Sequence, residues 1–350
     1  MKPAWLALVC LALLASACGA MAQPCQPRNL PNYVPTPVGS APGTQAPGAP
    51  LVIGCHAGRA WGVAFNPDGR SLASSGNEDG TVSLWDMSAG REIGTLAGPQ
   101  GLLLDVAYSP DGVWLAVASR QEDVRLWRLP ERQVAADLKL SDTPWSLAFS
   151  PDGKHLAIST RPRLEVVELA TFTTVFSVKA TGGARFAGVS YSPDGSTLAV
   201  ADAFDHNVLL LNPADGSLKA TLGPTHGADD VIAFSPTEPL LAAGDEDGQI
   251  SIFDTLSGQL ARSWQAHSDW INGLAFSPDG GMLASVSGVV FQEVLQPKDT
   301  SLRVWDVVTE SQLASHESSS RSVTGVAFSP DGTQVAEASF DGTVRVWPAP

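Results

Sequence analysis

Positive charge is scarce in this chain. Its 350 residues hold 21 Lys and Arg against 36 Asp and Glu, a formal net charge of −15, and no run of basic residues offsets it. Bulk electrostatics therefore argues against nucleic acid and anionic membrane surface as partners. The acidity itself reads as a solubility feature. Long apolar runs are also lacking: the one from Trp5 to Ala15 is too short for a membrane-spanning helix. From about residue 50 onward no segment is long and periodic enough for an amphipathic helix. Cysteine occurs four times, without the paired spacing of a zinc site. A Gly-x-Ser-x-Gly elbow and a phosphate-cradling loop are both missing. The acidic stretches Glu78-Asp79-Gly80 and Asp245-Glu246-Asp247-Gly248 lack the ligand spacing of a calcium loop and read as hairpin turns. No metal, no cofactor and no catalytic constellation are expected.

What is present begins with a leader. Lys2 is the only charge in residues 1–22, and small residues follow the apolar run, as in a secretory signal. Ala20-Met21-Ala22 before Gln23 offers an Ala-x-Ala site for release. The stretch Ala15-Ser16-Ala17-Cys18-Gly19 resembles a bacterial lipoprotein box, which would end the signal at 17 and place a lipid on Cys18. That box usually carries Leu where this chain has Ala15, and both readings stand. Either one exports the protein to the periplasm, the cell surface or the extracellular space, an oxidising compartment. Cys25 and Cys55 are then the other mature cysteines. A bridge between them would close a loop of about 30 residues, worth roughly 3.5 kcal/mol on the chain-entropy model; the alternative is that Cys55 is a small buried thiol. Residues 23–48 are rich in Pro, Gly, Thr and Ala and read as an extended linker.

The remainder, 49–350, is organised by one hexapeptide, Ala275-Phe276-Ser277-Pro278-Asp279-Gly280, written seven times. The copies centre on Pro67, Pro110, Pro151, Pro193, Pro236, Pro278 and Pro330, and successive prolines lie 43, 41, 42, 43, 42 and 52 residues apart. The copy at Ser235-Pro236-Thr237-Glu238 is degraded. A period of 40 to 45 residues marks a repeat architecture. Within the first repeat, Trp61–Phe65 alternates as a strand, Pro67-Asp68-Gly69 turns the chain, and Leu72–Ser75 returns. Glu78-Asp79-Gly80 makes a second hairpin turn into Thr81–Asp86, and Glu92–Leu96 forms a fourth strand. Four antiparallel strands per repeat make a propeller blade.

These repeats resemble the WD40 family of β-propellers. The third-strand signature stands at Leu84-Trp85-Asp86 and Val304-Trp305-Asp306. Variants occur at Leu126-Trp127-Arg128, Ile252-Phe253-Asp254 and Val346-Trp347-Pro348, and the third and fourth repeats have lost it. The expected fold is all-β: a seven-bladed propeller of four-stranded antiparallel blades. The last repeat supplies three strands, and Pro50–Gly54 has the pattern of a fourth without a blade of its own. That segment is expected to complete the last blade and close the ring. The resemblance implies a hydrogen-bonded tetrad in each blade, complete here at His56, Ser74, Asp79 and Trp85 and again at His267, Ser285, Asp299 and Trp305. These are read as structural networks, not as catalytic sets.

The resemblance also implies that partner proteins or peptides bind the narrow face. Its contacts would come from the start of each first strand and from the residue before each turn Asp. On this sequence those positions give Arg59, Trp61, Glu78, Leu104, Arg120, Trp145, Arg185, Phe204, Glu246, Trp270 and Phe340, an aromatic and arginine content typical of binding hot spots. The apolar insertion at 288–298, with Phe291, is expected either to contact a partner or to pack on its own blade. The function expected is a non-catalytic, monomeric binding scaffold for an unknown protein or peptide. The alternative is a hydrolase- or lactonase-type propeller enzyme, or a small-ligand binder, using the central channel.

Overall fold

In the Ser-Pro-Asp-Gly turns a single serine organises the reversal. At Ser109-Pro110-Asp111-Gly112, Ser109 Oγ donates to Asp111 Oδ1 at 2.5 Å and accepts the Trp114 N–H at 2.9 Å, while the Gly112 N–H donates to the Ser109 carbonyl at 2.9 Å. Gly112 adopts φ +69°, a left-handed conformation that glycine takes without steric cost. The same serine–aspartate bond recurs at Ser150, Ser192, Ser277 and Ser329, at 2.6 to 2.7 Å. This local chemistry explains why the hexapeptide repeats: it pins the hairpin between the first two strands of a blade.

The computed structural model describes residues 50–180, 186–227, 229–289, 297–317 and 322–350. Among them, strands build seven four-stranded antiparallel sheets and no helix is present. Blade 1 runs Ala60–Phe65, Ser71–Gly76, Thr81–Asp86 and Arg91–Ala97. Blades 2 to 6 repeat that order. Blade 7 takes Val323–Phe328, Gln334–Ser339 and Thr343–Pro348 from the end of the chain and Leu51–Cys55 from its beginning. Leu51 lies opposite Val346 and Cys55 opposite Thr343. Ile53 on this closing strand is 4% exposed and packs with Ala60, Phe65 and Trp85 of blade 1 and Val344 and Val346 of blade 7. The ring is therefore closed by burial as well as by strand pairing.

The apolar cores lie between blades. Each hydrophobic cluster joins two neighbours, for example Leu84 and Leu96 of blade 1 with Val106 and Leu115 of blade 2. Second strands are buried on both sides, and all seven carry an aliphatic–Ala pair, from Leu72-Ala73 to Val335-Ala336, with no exposure at any of the fourteen residues. The alanines let facing sheets approach while the Leu or Val fills the other side. Outer strands alternate between exposed and half-buried residues, as in Gln133–Lys139.

One irregularity is common to all seven blades: the pairing of first and second strands shifts register near the start of the first strand. In blade 2 Leu103 pairs with Ser119 and Asp105 with Ala118, so Leu104 is left unpaired in a bulge; Trp145, Asn272 and Thr324 occupy the same place in blades 3, 6 and 7. In blade 1 the shift falls between Ala60 and Val63 and takes in Trp61. Bulges re-aim side chains, and these re-aim them at the axis of the ring.

Cys55 is disulfide-bonded. Its expected partner Cys25 lies outside the described residues, as do Cys18, the leader, the linker to residue 49, Arg185 and Phe291.

Candidate partner-binding face at the channel mouth

First strands from every blade surround a cavity of about 520 Å³ on the ring axis. Where neighbouring first strands come closest, side chains are excluded: a Cβ on Gly325 would sit 2.7 Å from the Trp61 carbonyl oxygen. Elsewhere polar groups tie one blade to the next. Thr324 Oγ1 of blade 7 donates to the Ala60 carbonyl of blade 1 at 3.0 Å, and Asn272 Nδ2 of blade 6 donates to the Val323 carbonyl at 2.9 Å. Ser146 Oγ of blade 3 accepts the Val189 N–H of blade 4 at 3.3 Å. These first strands are edge strands, and such bonds satisfy backbone groups that no fifth strand covers.

Asp105 makes the charged version of this tie. Its Oδ2 accepts the Leu147 N–H of blade 3 at 2.9 Å and its Oδ1 accepts the Val106 N–H at 2.8 Å. Burial pushes its carboxyl up to about 7, overriding the two N–H donors that favour the charged form. Among the described residues no cation forms an ion pair with it. The sequence reading missed Asp105, which lies one residue below the expected contact position Leu104.

The expected face residues divide into three groups. Trp61, Leu104, Trp145 and Trp270 all line the cavity. Trp61 also packs on Phe340 of blade 7, ring centroids 5.3 Å apart and tilted by 45°. The Arg59 guanidinium lies 4.8 Å above the same Phe340 ring and pairs with Glu78 at 3.3 Å, and the Arg59 N–H donates to the Glu78 carboxylate. Arg59, Trp61, Glu78 and Phe340 thus form one cluster across the closing seam. Arg120, Phe204 and Glu246 do not join the cavity: Arg120 is exposed and Phe204 is 59% exposed on hairpin tips, while Glu246 is half-buried beside Gly227. Their hairpins end outside the ring of first strands, so the count along the sequence reached the rim but not the cavity. A second missed residue is Arg161, which also lines the cavity; its guanidinium lies 4.8 Å over the Trp145 ring.

The two tetrads are relays of hydrogen bonds. Trp305 Nε1–H donates to Ser285 Oγ at 2.9 Å, which commits the serine hydroxyl hydrogen to His267 Nε2 at 2.7 Å; His267 Nδ1–H then donates to Asp299 Oδ2 at 3.2 Å. Blade 1 repeats the chain through Trp85, Ser74, His56 and Asp79 at 2.8, 2.8 and 3.1 Å. Burial holds His267 below its ordinary pKa, in keeping with a neutral ring. Burial raises Asp299, but hydrogen bonds from His267 and Ser301 outweigh it and leave the carboxylate well below the usual range. Ser74 and Ser285 are fully buried with Oγ bonded on both sides, so a substrate carbonyl cannot approach. The geometry is that of a blade clamp. Blade 7 departs from the pattern: Glu337 stands at the serine position, and Arg345 bridges it at 3.1 Å to Asp341 at 2.8 Å.

The family model described as WD domain, G-beta repeat matches residues 50–86, 90–128, 216–254, 258–306 and 309–348. The chain belongs to the WD40 family. Among similar WD40 proteins, eukaryotic translation initiation factor 3 subunit I of Emericella nidulans is 28% identical over 232 residues, 66% of this chain and 60% of that protein. The serine-threonine kinase receptor-associated protein of Mus musculus is 26% identical over 259 residues, covering 72% and 68%. Nuclear distribution protein PAC1 of Coccidioides posadasii is 31% identical over 293 residues, covering 73% and 58%. The chain thus spans about 60% of the length of the first of these relatives.

Proposed function

We propose that this WD40 propeller is a non-catalytic scaffold that binds a protein or peptide through the aromatic face at the channel mouth. One observation carries the reading: Trp61, Trp145 and Trp270, from blades 1 and 3 and the loop entering blade 6, converge on a single cavity. Half-buried indoles around one cavity provide large contact area at small entropic cost, the usual composition of a binding hot spot. The names of two relatives, a translation factor subunit and a receptor-associated protein, agree with a role in protein assemblies.

The compartment is part of the proposal. The leader at 1–22 argues for export, with release or a lipid on Cys18 as the two outcomes, and the disulfide at Cys55 is at home in an oxidising compartment. The relatives' names give no support to that location. Mass spectrometry of the mature N terminus decides it: a chain starting at Gln23 means release, a lipid-modified Cys18 means anchoring, and an unprocessed Met1 refutes export.

The face is tested by Trp61→Ala combined with Trp145→Ala in the full chain. The double variant should lose partner capture from an envelope extract while its thermal midpoint moves by a few degrees. A collapse of the midpoint would make these rings core and overturn the assignment.

A further inference from the structure

The cavity beneath the indoles has a feature that the face reading does not use. Asp105 opens onto it from blade 2, between Trp61 of blade 1 and Trp145 of blade 3. Each carboxylate oxygen accepts one backbone N–H, which leaves further acceptor capacity on both, and among the described residues no cation forms an ion pair with it. Indole faces attract cations through their quadrupole. The protein already shows that preference at this mouth, where the Arg161 guanidinium lies over Trp145. That guanidinium lines the same cavity but forms no ion pair with Asp105, and burial with two backbone donors accounts for the electrostatic surroundings of the carboxyl. A volume of about 520 Å³ falls within the range of roughly 300–1,000 Å³ usual for small-ligand sites, so it admits a side chain or short peptide and excludes a folded domain.

We infer that the partner inserts a cationic side chain, a lysine ammonium or an arginine guanidinium, into the channel between Trp61 and Trp145 and against the Asp105 carboxylate. This rests on the face reading above and adds the chemistry of the inserted group. The cation gives Asp105 the counter-charge it lacks within the described chain, and the indoles replace the water that the cation sheds. The net charge of −15 favours approach of a basic segment from any direction.

Small amides test the inference without a known partner. Calorimetric titration of the full chain at pH 8 would compare N-acetyl-arginine amide and N-acetyl-lysine amide with N-acetyl-citrulline amide, which matches the arginine side chain in shape and lacks its charge. At least one cation should bind saturably and at least tenfold more tightly than citrulline. Asp105→Asn should weaken that cation at least tenfold and leave citrulline unchanged. Equal binding of arginine and citrulline to the wild type overturns the inference, with no variant needed, and so does the absence of saturable cation binding. The Trp61/Trp145 double variant separates the two readings. Loss of partner capture there, with no charge preference in the wild type, leaves the face reading standing and removes this one; capture that survives in a folded double variant removes the face reading itself.

Discussion

Asp105 should make this propeller less stable as the pH rises from about 4 to about 7. The ordinary carboxyl value of 3.8 applies to the unfolded chain, whereas burial raises the folded value to about 7. Between those values the folded chain holds the proton and the unfolded chain has lost it. The contribution of this group to stability is therefore complete below about pH 4 and is lost as the pH climbs through about 7. At about 1.4 kcal/mol per pH unit the interval sets a ceiling near 4 kcal/mol. Asp105 is partly open to the channel, and water there raises the effective dielectric, so about 1–3 kcal/mol is the expected size. The perturbation is Asp105→Asn, which cannot ionise. Other carboxylates run the opposite way, as Asp299 does through its bonds from His267 and Ser301, so neither protein alone reports on Asp105. Urea midpoints would be measured for both proteins at half-unit steps from pH 4 to 8, and the difference in stability taken at each step. Asparagine leaves one of the Leu147 and Val106 N–H groups without an acceptor, a cost of about 1–3 kcal/mol that does not change with pH. On that constant offset the wild type should lose about 1–3 kcal/mol relative to the variant across the window. A flat difference curve would refute the buried-carboxylate argument.

Two further substitutions probe the frame. Ser285→Ala removes the atom that accepts from Trp305 and donates to His267, leaving two buried polar groups unsatisfied, and should cost about 2–4 kcal/mol in chemical denaturation; a cost below 0.5 kcal/mol would show that the blade 6 clamp carries no stability. Gly325→Ala places a methyl 2.7 Å from the Trp61 backbone oxygen, where no flexible side chain can yield. It should lower the urea midpoint by an amount equivalent to about 1–3 kcal/mol, and an unchanged midpoint would mean the first strands are not held at this spacing.

Much of the frame was legible because its determinants are local. The Ser-Pro-Asp-Gly turn carries its own hydrogen bonds, so seven copies announce seven blades, and Pro50–Gly54 reads as the fourth strand that the last repeat lacks. The tetrads were legible because the family resemblance names their residue types and the strands on which each stands. The site was only half legible. Counting along the chain finds Trp61, Leu104 and Trp145 but cannot show that they stand at bulges, because a bulge is a property of pairing between strands. Asp105 looks like an unremarkable polar residue in Leu103-Leu104-Asp105-Val106. Its meaning comes from the column it occupies, where the other blades carry Gly62, Ser146, Gly188, Val231, Gly273 and Gly325.

That column ties stability and recognition together. Where it holds glycine, backbones of neighbouring first strands touch; where it holds serine, a hydroxyl bridges the gap to the next blade. A carboxylate at the same place does the bridging at a greater cost in desolvation, since burial outweighs both of its donors. Serine would join blades 2 and 3 as it joins blades 3 and 4, without that penalty. Stability alone therefore gives no reason for aspartate here. A group that destabilises the resting protein and faces a cavity ringed by indoles is better accounted for by what enters the cavity, because an arriving cation recovers the energy that burial withheld.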